Sequence, residues 1–151
     1  MKVYSLKRKQ FIKLPIEKVF DFFSKPENLE KITPSSLSFK IITPIPIDMS
    51  KGALIDYTIK LFFYPVHWRT IISDYNPPYS FIDQQIKGPY KFWHHSHKFK
   101  EVNDGVEIID NVKYSVPFGV VGRLAHKIWI RNELNKIFDY RMKIINDLIN
   151  K

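Results

Sequence analysis

The sequence predicts an α+β fold: a curved, seven-stranded antiparallel sheet wrapped around one long C-terminal helix, with two short helices after strand one. Three observations carry this. Successive segments between Leu54 and Val116 alternate apolar and polar residues with the period of two that places strand side chains on opposite faces. From Val120 to Ile149 the period changes to steps of three and four residues, that of an amphipathic helix. Between the first and second strands lie two short helical stripes bounded by proline and serine. A meander and a helix that are each apolar on one side bury both stripes most economically when the sheet curls around the helix, and such a wrap can leave a space between them.

Val3 to Phe11 reads as the first strand, with Val3, Leu6 and Phe11 as its apolar members and an outward basic face. Pro15 suits a first helical position, and Val19, Phe20, Phe22 and Phe23 form a stripe that Ser24-Lys25-Pro26 interrupts. Pro26 begins the second short helix, anchored by Leu29 and Ile32 and ended by Thr33-Pro34-Ser35-Ser36. Leu37 to Ile42 is the second strand, and Pro44-Ile45-Pro46 is a loop, since two prolines this close cannot serve a central ladder.

Leu54 to Leu61 sets Ile55, Tyr57, Ile59 and Leu61 on one face, and Val66 to Tyr75 sets Trp68, Thr70 and Ile72 opposite His67, Arg69 and Ile71. After the turn Asn76-Pro77-Pro78, Tyr79 to Ile86 runs into Lys87-Gly88-Pro89, a tight connection to Tyr90 through Glu101. Asn103-Asp104-Gly105 is the strongest hairpin signal, and Val106, Ile108, Asp110, Val112, Tyr114 and Val116 share a face beyond it. The terminal helix carries Val121, Leu124, Ala125, Ile128, Leu134, Ile137, Phe138, Met142, Ile145 and Leu148 as its stripe, with Arg131 and Arg141 at the edges sending their heads to solvent. Gly119 and Gly122 read as turn residues or a hinge before it.

At 151 residues the chain is long enough for a sizeable core, and no repeat, low-complexity segment or linker divides it, so residues 1–151 are expected to form a single domain. Aromatic residues make up 15%, enough to line a cavity as well as fill a core. The absence of cysteine excludes a disulfide framework, a thiol nucleophile and cysteine-based metal sites. The start of the chain lacks an apolar leader and no run of about 18 apolar residues occurs, so a cytoplasmic protein is expected. The formal charge of +9 is scattered over almost every element, which points to a solvated basic surface, no specific nucleic-acid binding and at most weak peripheral contact with anionic membranes. No cofactor motif is read, because Gly88-Pro89 lacks phosphate-cradle spacing, and the oligomeric state is left open.

The stretch from Phe81 to Tyr114 is the most informative. Trp93, His95, His97 and Phe99 share the face that carries the larger apolar bodies, so two imidazoles point into a mostly apolar interior and each needs a partner or a ligand. If Lys87-Gly88-Pro89 sets Gln85 opposite Trp93, Asp83 lies opposite His95 and Phe81 opposite His97. The group then reads as a structural polar network, as a ligand contact, or as a metal site of i, i+2 histidines with Asp83 or Asp110. Metal is the least favoured and none is assigned. Asp83, Gln85, His95, His97, Asp110 and Tyr114 are expected to orient a ligand, and Tyr57, Ile59, Trp68, Phe81 and Trp93 to supply walls. Ser96 lies on the opposite strand face from both histidines, which disfavours a serine–histidine pairing. His95 with Asp83 is the acid–base candidate if there is catalysis, with Tyr57 or Tyr114 as donor to an oxyanion.

The order of elements, together with Pro15-Ile16-Glu17-Lys18-Val19-Phe20-Asp21-Phe22-Phe23, Asn28-Leu29, Asp83-Gln84-Gln85-Ile86-Lys87-Gly88-Pro89-Tyr90, Trp93-His94-His95-Ser96-His97-Lys98-Phe99 and Asp110-Asn111-Val112-Lys113-Tyr114-Ser115-Val116-Pro117, resembles the SRPBCC superfamily. That superfamily contains START-type lipid-transfer domains, the major birch-pollen allergen type, and polyketide cyclase and dehydrase-like proteins. The resemblance covers nearly the whole chain and looks closest to the small stand-alone ligand-binding members found in bacteria. It implies a helix-grip fold but no residue-level mechanism, because the superfamily has no universal catalytic set. The expected function is binding of a small hydrophobic or amphipathic molecule, lipid-like or polycyclic and aromatic, between sheet and C-terminal helix. The alternative is a cyclase- or dehydratase-like enzyme that uses a His and Asp pair in the same cavity.

Overall fold

The structure is a computed structural model and describes residues 1–61 and 64–149. Among the described residues, β1 (Tyr4–Ile12), β2 (Lys40–Ile41), β3 (Leu54–Leu61), β4 (Tyr64–Asn76), β5 (Ser80–Lys87), β6 (Phe92–Val102) and β7 (Gly105–Ser115) form one antiparallel sheet in the order β1-β7-β6-β5-β4-β3-β2. Helix α1 (Ile16–Phe23) and a 3₁₀ helix (Pro26–Ile32) follow β1. At the other end α2 (Gly119–Ala125), a π-helical turn (His126–Ile130) and α3 (Arg131–Ile149) run on as one helix over 119–149. This is the predicted architecture of a curved sheet gripping a terminal helix.

The curvature has local causes. Register shifts between Arg69 and Thr70 and between Ile72 and Asp74 mark irregularities in β4, which bend a strand and increase its twist. The β6–β7 hairpin turns through Asn103 in a left-handed conformation (φ 44°) and pairs Val102 with Gly105. A side chain at position 105 would run into the Ile12 carbonyl and the Phe11 ring, so this turn also needs glycine for the approach of β1.

Three elements depart from the expected pattern. β2 is two residues long instead of spanning Leu37 to Ile42, because Ser35–Leu37 forms a 3₁₀ turn and Ser38 turns left-handed (φ 46°) before pairing can begin. In β1 the more buried side chains are Tyr4, Leu6, Arg8, Gln10 and Ile12, whereas Val3 and Phe11 are exposed. Arg8 donates to Asn135 Oδ1 (2.7 Å) and Asp139 Oδ1 (3.3 Å), and Gln10 donates to the Met142 carbonyl and Asn146 Oδ1 (both 2.9 Å). The basic and polar residues of this strand therefore tie it to α3.

The third departure is in the terminal helix, where Val121, Leu124 and Ile128 of the expected stripe are exposed, while Gly122, His126, Leu134, Phe138 and Ile145 are buried. In a straight α-helix a face defined by every fourth residue drifts by about 40° per step. The π turn over His126–Ile130 offsets that drift, keeps 122, 126, 130, 134 and 138 on one side, and turns the apolar residues of the first two turns outward. His126 is held there by the Tyr114 hydroxyl (2.6 Å) and by stacking on Tyr4 (centroids 3.5 Å). Gly122 packs so closely that a Cβ would overlap the Pro117 carbonyl, so it acts as a close-packing residue and Gly119 (φ 53°) makes the turn.

Two cores result. One joins α1 and the 3₁₀ helix through Val19, Phe20 and Ile32 to Phe81, Phe99, Val106 and Ile145. The other joins Ile59, Trp68, Trp93 and Tyr114 to Leu134 and Phe138. Gly122→Ala is predicted to destabilise the protein by roughly 2 kcal/mol, the usual range for overpacking a site that cannot relax. Thermal melting checks this, and a midpoint equal to wild type would show that the helix start shifts freely.

Candidate functional site

Between the inner sheet face and α3 lies a cavity of about 170 Å³, covered at one side by the 3₁₀ segment through Pro26 and Leu29. Its walls are aromatic and aliphatic, with Tyr57 stacked on Trp68 (5.7 Å) and Trp68 edge-on to Trp93 (5.2 Å). One sector is polar and is built by three adjacent strands. The ladder sets Asp83 opposite His95 and Phe81 opposite His97, as expected for the short β5–β6 connection, and on the other side sets His97 opposite Asp110 of β7.

The shorter hydrogen bonds run diagonally. His97 Nε2 donates to Asp83 Oδ2 at 2.6 Å and His95 Nε2 donates to Asp110 Oδ1 at 2.8 Å, since an ionised carboxylate can only accept. The directly opposite contacts are longer, with His95 Nδ1 3.7 Å from Asp83 and His97 Nδ1 3.4 Å from Asp110. The expected His95–Asp83 pairing is thus replaced by a closed quartet in which Asp110 is the main partner of His95. The imidazoles stack on each other (centroids 3.7 Å), His97 stacks on Phe81 (4.1 Å), and His95 meets Phe138 of α3 (5.7 Å). The quartet is the seam between the two cores.

Its charges are coupled. Burial opposes a proton on either imidazole. For His95, burial and the neighbouring His97 prevail and its pKa falls, whereas for His97 the hydrogen bonds to Asp110 and Asp83 prevail and its pKa rises. Burial would raise both carboxyls, but the two histidines hold Asp110 far below the ordinary range, and His95, His97 and Arg141 hold Asp83 below it.

Arg141 is the main site residue placed differently from its expected position. It is half-buried rather than extended into solvent. It lines the cavity over the Phe138 ring (4.9 Å), its Nε is buried without a partner, and burial depresses its pKa against the opposing pull of Asp110, Asp83 and Tyr57. The legible signal was spacing: position 141 follows Leu134 and Phe138 by seven and three residues, on the buried stripe itself.

Of the residues expected at a site, Tyr57, Ile59, Trp68, Phe81, Asp83, Trp93, His95 and His97 lie on the cavity wall. Gln85, Asp110 and Tyr114 do not. Gln85 clasps the β5–β6 connection through both the Tyr90 carbonyl (2.6 Å) and the Tyr90 N–H (3.1 Å), and Asp110 backs His95. Tyr114 is committed to His126, its pKa pushed up to about 12 by burial and by Tyr4, so it is not a free donor to an oxyanion. Besides Arg141, the helix adds Leu134, Ile137 and Phe138, and Phe39 and Tyr90 close the wall.

Asp83, His95 and His97 offer three ligand atoms within 4.8 Å of one another. As arranged they are spaced for hydrogen bonds. The 2.6 Å between His97 Nε2 and Asp83 Oδ2 is shorter than the edge of about 3.3 Å that a tetrahedral zinc with bonds of about 2.0 Å sets between its donors.

Asp110→Asn is predicted to cost roughly 3 kcal/mol at pH 7 by leaving His95 without its carboxylate. The folded pKa lies below the unfolded value near 3.8, so this stabilisation is complete above about pH 5 and is lost as pH falls toward 2. Urea unfolding at pH 7 and pH 3 checks it, and a gap between variant and wild type that widens at pH 3 would contradict it.

No family model and no curated protein matches the sequence. Solved structures do match in fold. TTHA0849 from Thermus thermophilus is 12% identical with a TM-score of 0.76, covering 97% of both chains. Ginseng major latex-like protein 151 from Panax ginseng is 11% identical with a TM-score of 0.65, covering 97% of both chains. Ara h 8.0201 is 10% identical with a TM-score of 0.63, covering 96% of this chain and 99% of that one. The chain has the helix-grip fold that these proteins share.

Proposed function

We propose that the protein is a small stand-alone SRPBCC-type binder that holds a mainly apolar guest with one polar end between its sheet and α3. The observation that supports this is a cavity with aromatic and aliphatic walls and a single polar sector made of Asp83, His95, His97 and Arg141. Apolar contact supplies affinity at about 25 cal/mol per Å² buried, and the polar sector supplies orientation. A volume of about 170 Å³ is comparable to the cavities of about 150 Å³ that admit benzene, so a single ring or a short branched chain fits the walls as they stand. A lipid-length or polycyclic guest requires Phe39, Met49 or the 3₁₀ segment to move aside.

A second reading is acid–base catalysis on such a guest, of the cyclase or dehydratase kind. It is supported by one feature: His95 and His97 lie on the cavity wall, each hydrogen-bonded through Nε2 to a carboxylate, the kind of pairing from which an acid–base group is drawn. Turnover abolished by His97→Gln with retained binding would support it.

Thermal shift and native mass spectrometry against a panel of monocyclic and short-chain amphiphiles test binding, with a one-to-one adduct and a raised midpoint expected. Ile59→Trp, which fills the cavity from β3, is expected to abolish adducts while the fold is kept. Absence of any adduct, or adducts unaffected by Ile59→Trp, would refute the reading.

A further inference from the structure

The polar groups of the cavity are unequal in a way that specifies the guest. The carboxylates of the polar sector are already paired with imidazoles: Asp83 receives His97 at Oδ2 and, behind the wall, Asp110 receives His95 at Oδ1. The donors are not. Among the described residues, the cavity-lining side chains with buried polar atoms lacking a partner are Arg141, at Nε, and Trp68, at Nε1. Trp68 is 6% exposed, so its N–H has no bulk water to turn to. No hydrogen bond or ion pair within the described residues reaches the Arg141 guanidinium, whose Phe138 contact uses only a ring face.

Buried N–H groups without acceptors are costly to leave and rare in folded proteins, so two of them facing one cavity describe the complement of what belongs there. A guest amine would leave both orphan N–H groups unmet and would meet the guanidinium charge. A hydrocarbon would leave both donors unmet. A carboxylate has no donor, carries two acceptor oxygens, and matches the planar fork of a guanidinium.

We propose that the guest is a small organic acid, an aryl or short branched-chain carboxylate, held with its carboxylate on Arg141, an oxygen accepting from the Trp68 N–H, and its apolar body against Tyr57, Trp93 and Phe138. This rests on the binding reading above and narrows it to one chemical class. Arg141 is the charge that selects. The carboxylates of the quartet, each satisfied by an imidazole, keep the rest of the sector from attracting a second anion.

The test compares matched probes, 3-phenylpropanoate, 3-phenylpropanamide and 3-phenylpropylamine, titrated into the full chain at pH 7.5 with calorimetry and the fluorescence of the cavity tryptophans as readouts. The acid is expected to bind at least fivefold more tightly than the amide, and the amine most weakly. In Arg141→Met the acid loses its advantage while the amide stays within threefold of its wild-type affinity, and Arg141→Lys recovers part of the preference. Trp68→Phe weakens acid and amide alike, because both present a carbonyl oxygen. An acid-to-amide ratio below fivefold, a preference for the amine, or a preference that survives Arg141→Met overturns the assignment and leaves the binding reading intact. Failure of all three probes to bind overturns both.

Discussion

The closed quartet of two carboxylates and two imidazoles is the constraint on which the interior depends. It sits where the two apolar cores meet, with Phe81 stacked on one side of the histidine pair and Trp93 and Phe138 on the other. Buried ionisable groups pay for their desolvation only if every partner is in place, and replacement by well-packed apolar residues is often neutral or stabilising. A quartet is therefore an expensive joint between two cores if joining them is its only task. Its geometry also depends on three strands at once, since Asp83, the histidines and Asp110 come from β5, β6 and β7. A slip of one residue in either ladder would turn a charge outward and an apolar residue into the seam.

Strand content was legible because it is local. Alternation in 93–99 and 106–116 places side chains on faces without reference to anything distant, and the short Lys87-Gly88-Pro89 connection sets the register that brings Asp83 across from His95. What the chain did not reveal is how facing side chains would share partners. Opposite positions suggested His95 with Asp83, whereas the rings lean diagonally, a choice made by side-chain reach and by stacking of the imidazoles on each other. The terminal helix was read with one period throughout, so the π turn that rotates its first half was invisible, and with it the exposure of Val121, Leu124 and Ile128. Arg141 was assigned to solvent on residue type although its spacing from Phe138 placed it inward.

The cavity follows from how the helix is anchored. At its start His126 bonds to Tyr114 and stacks on Tyr4. Along β1, Arg8 and Gln10 bond to Asn135, Asp139, Met142 and Asn146, and near the end Ile145 enters the first core. These contacts hold the helix at a fixed standoff along the β1 side of the sheet. On the other side, over β3 and β4, no comparable polar tie draws it down among the described residues, and large rings such as Tyr57, Trp68 and Trp93 meet face and edge without filling the space. The one cationic side chain on its wall among the described residues brings its charged end toward the quartet.

Arg141 is that side chain, and it does not complete the packing. It brings a charge into the gap without a hydrogen-bond partner for its Nε, opposite carboxylates that are already committed to histidines. The quartet on the sheet is thus satisfied within itself, while the Arg141 Nε on the helix and the Trp68 N–H on β4 are not. An interior divided this way has a defined direction: mainly apolar toward the rings of β3 and β4, with the Trp68 N–H among them, cationic at the helix, and carboxylate–imidazole at the quartet.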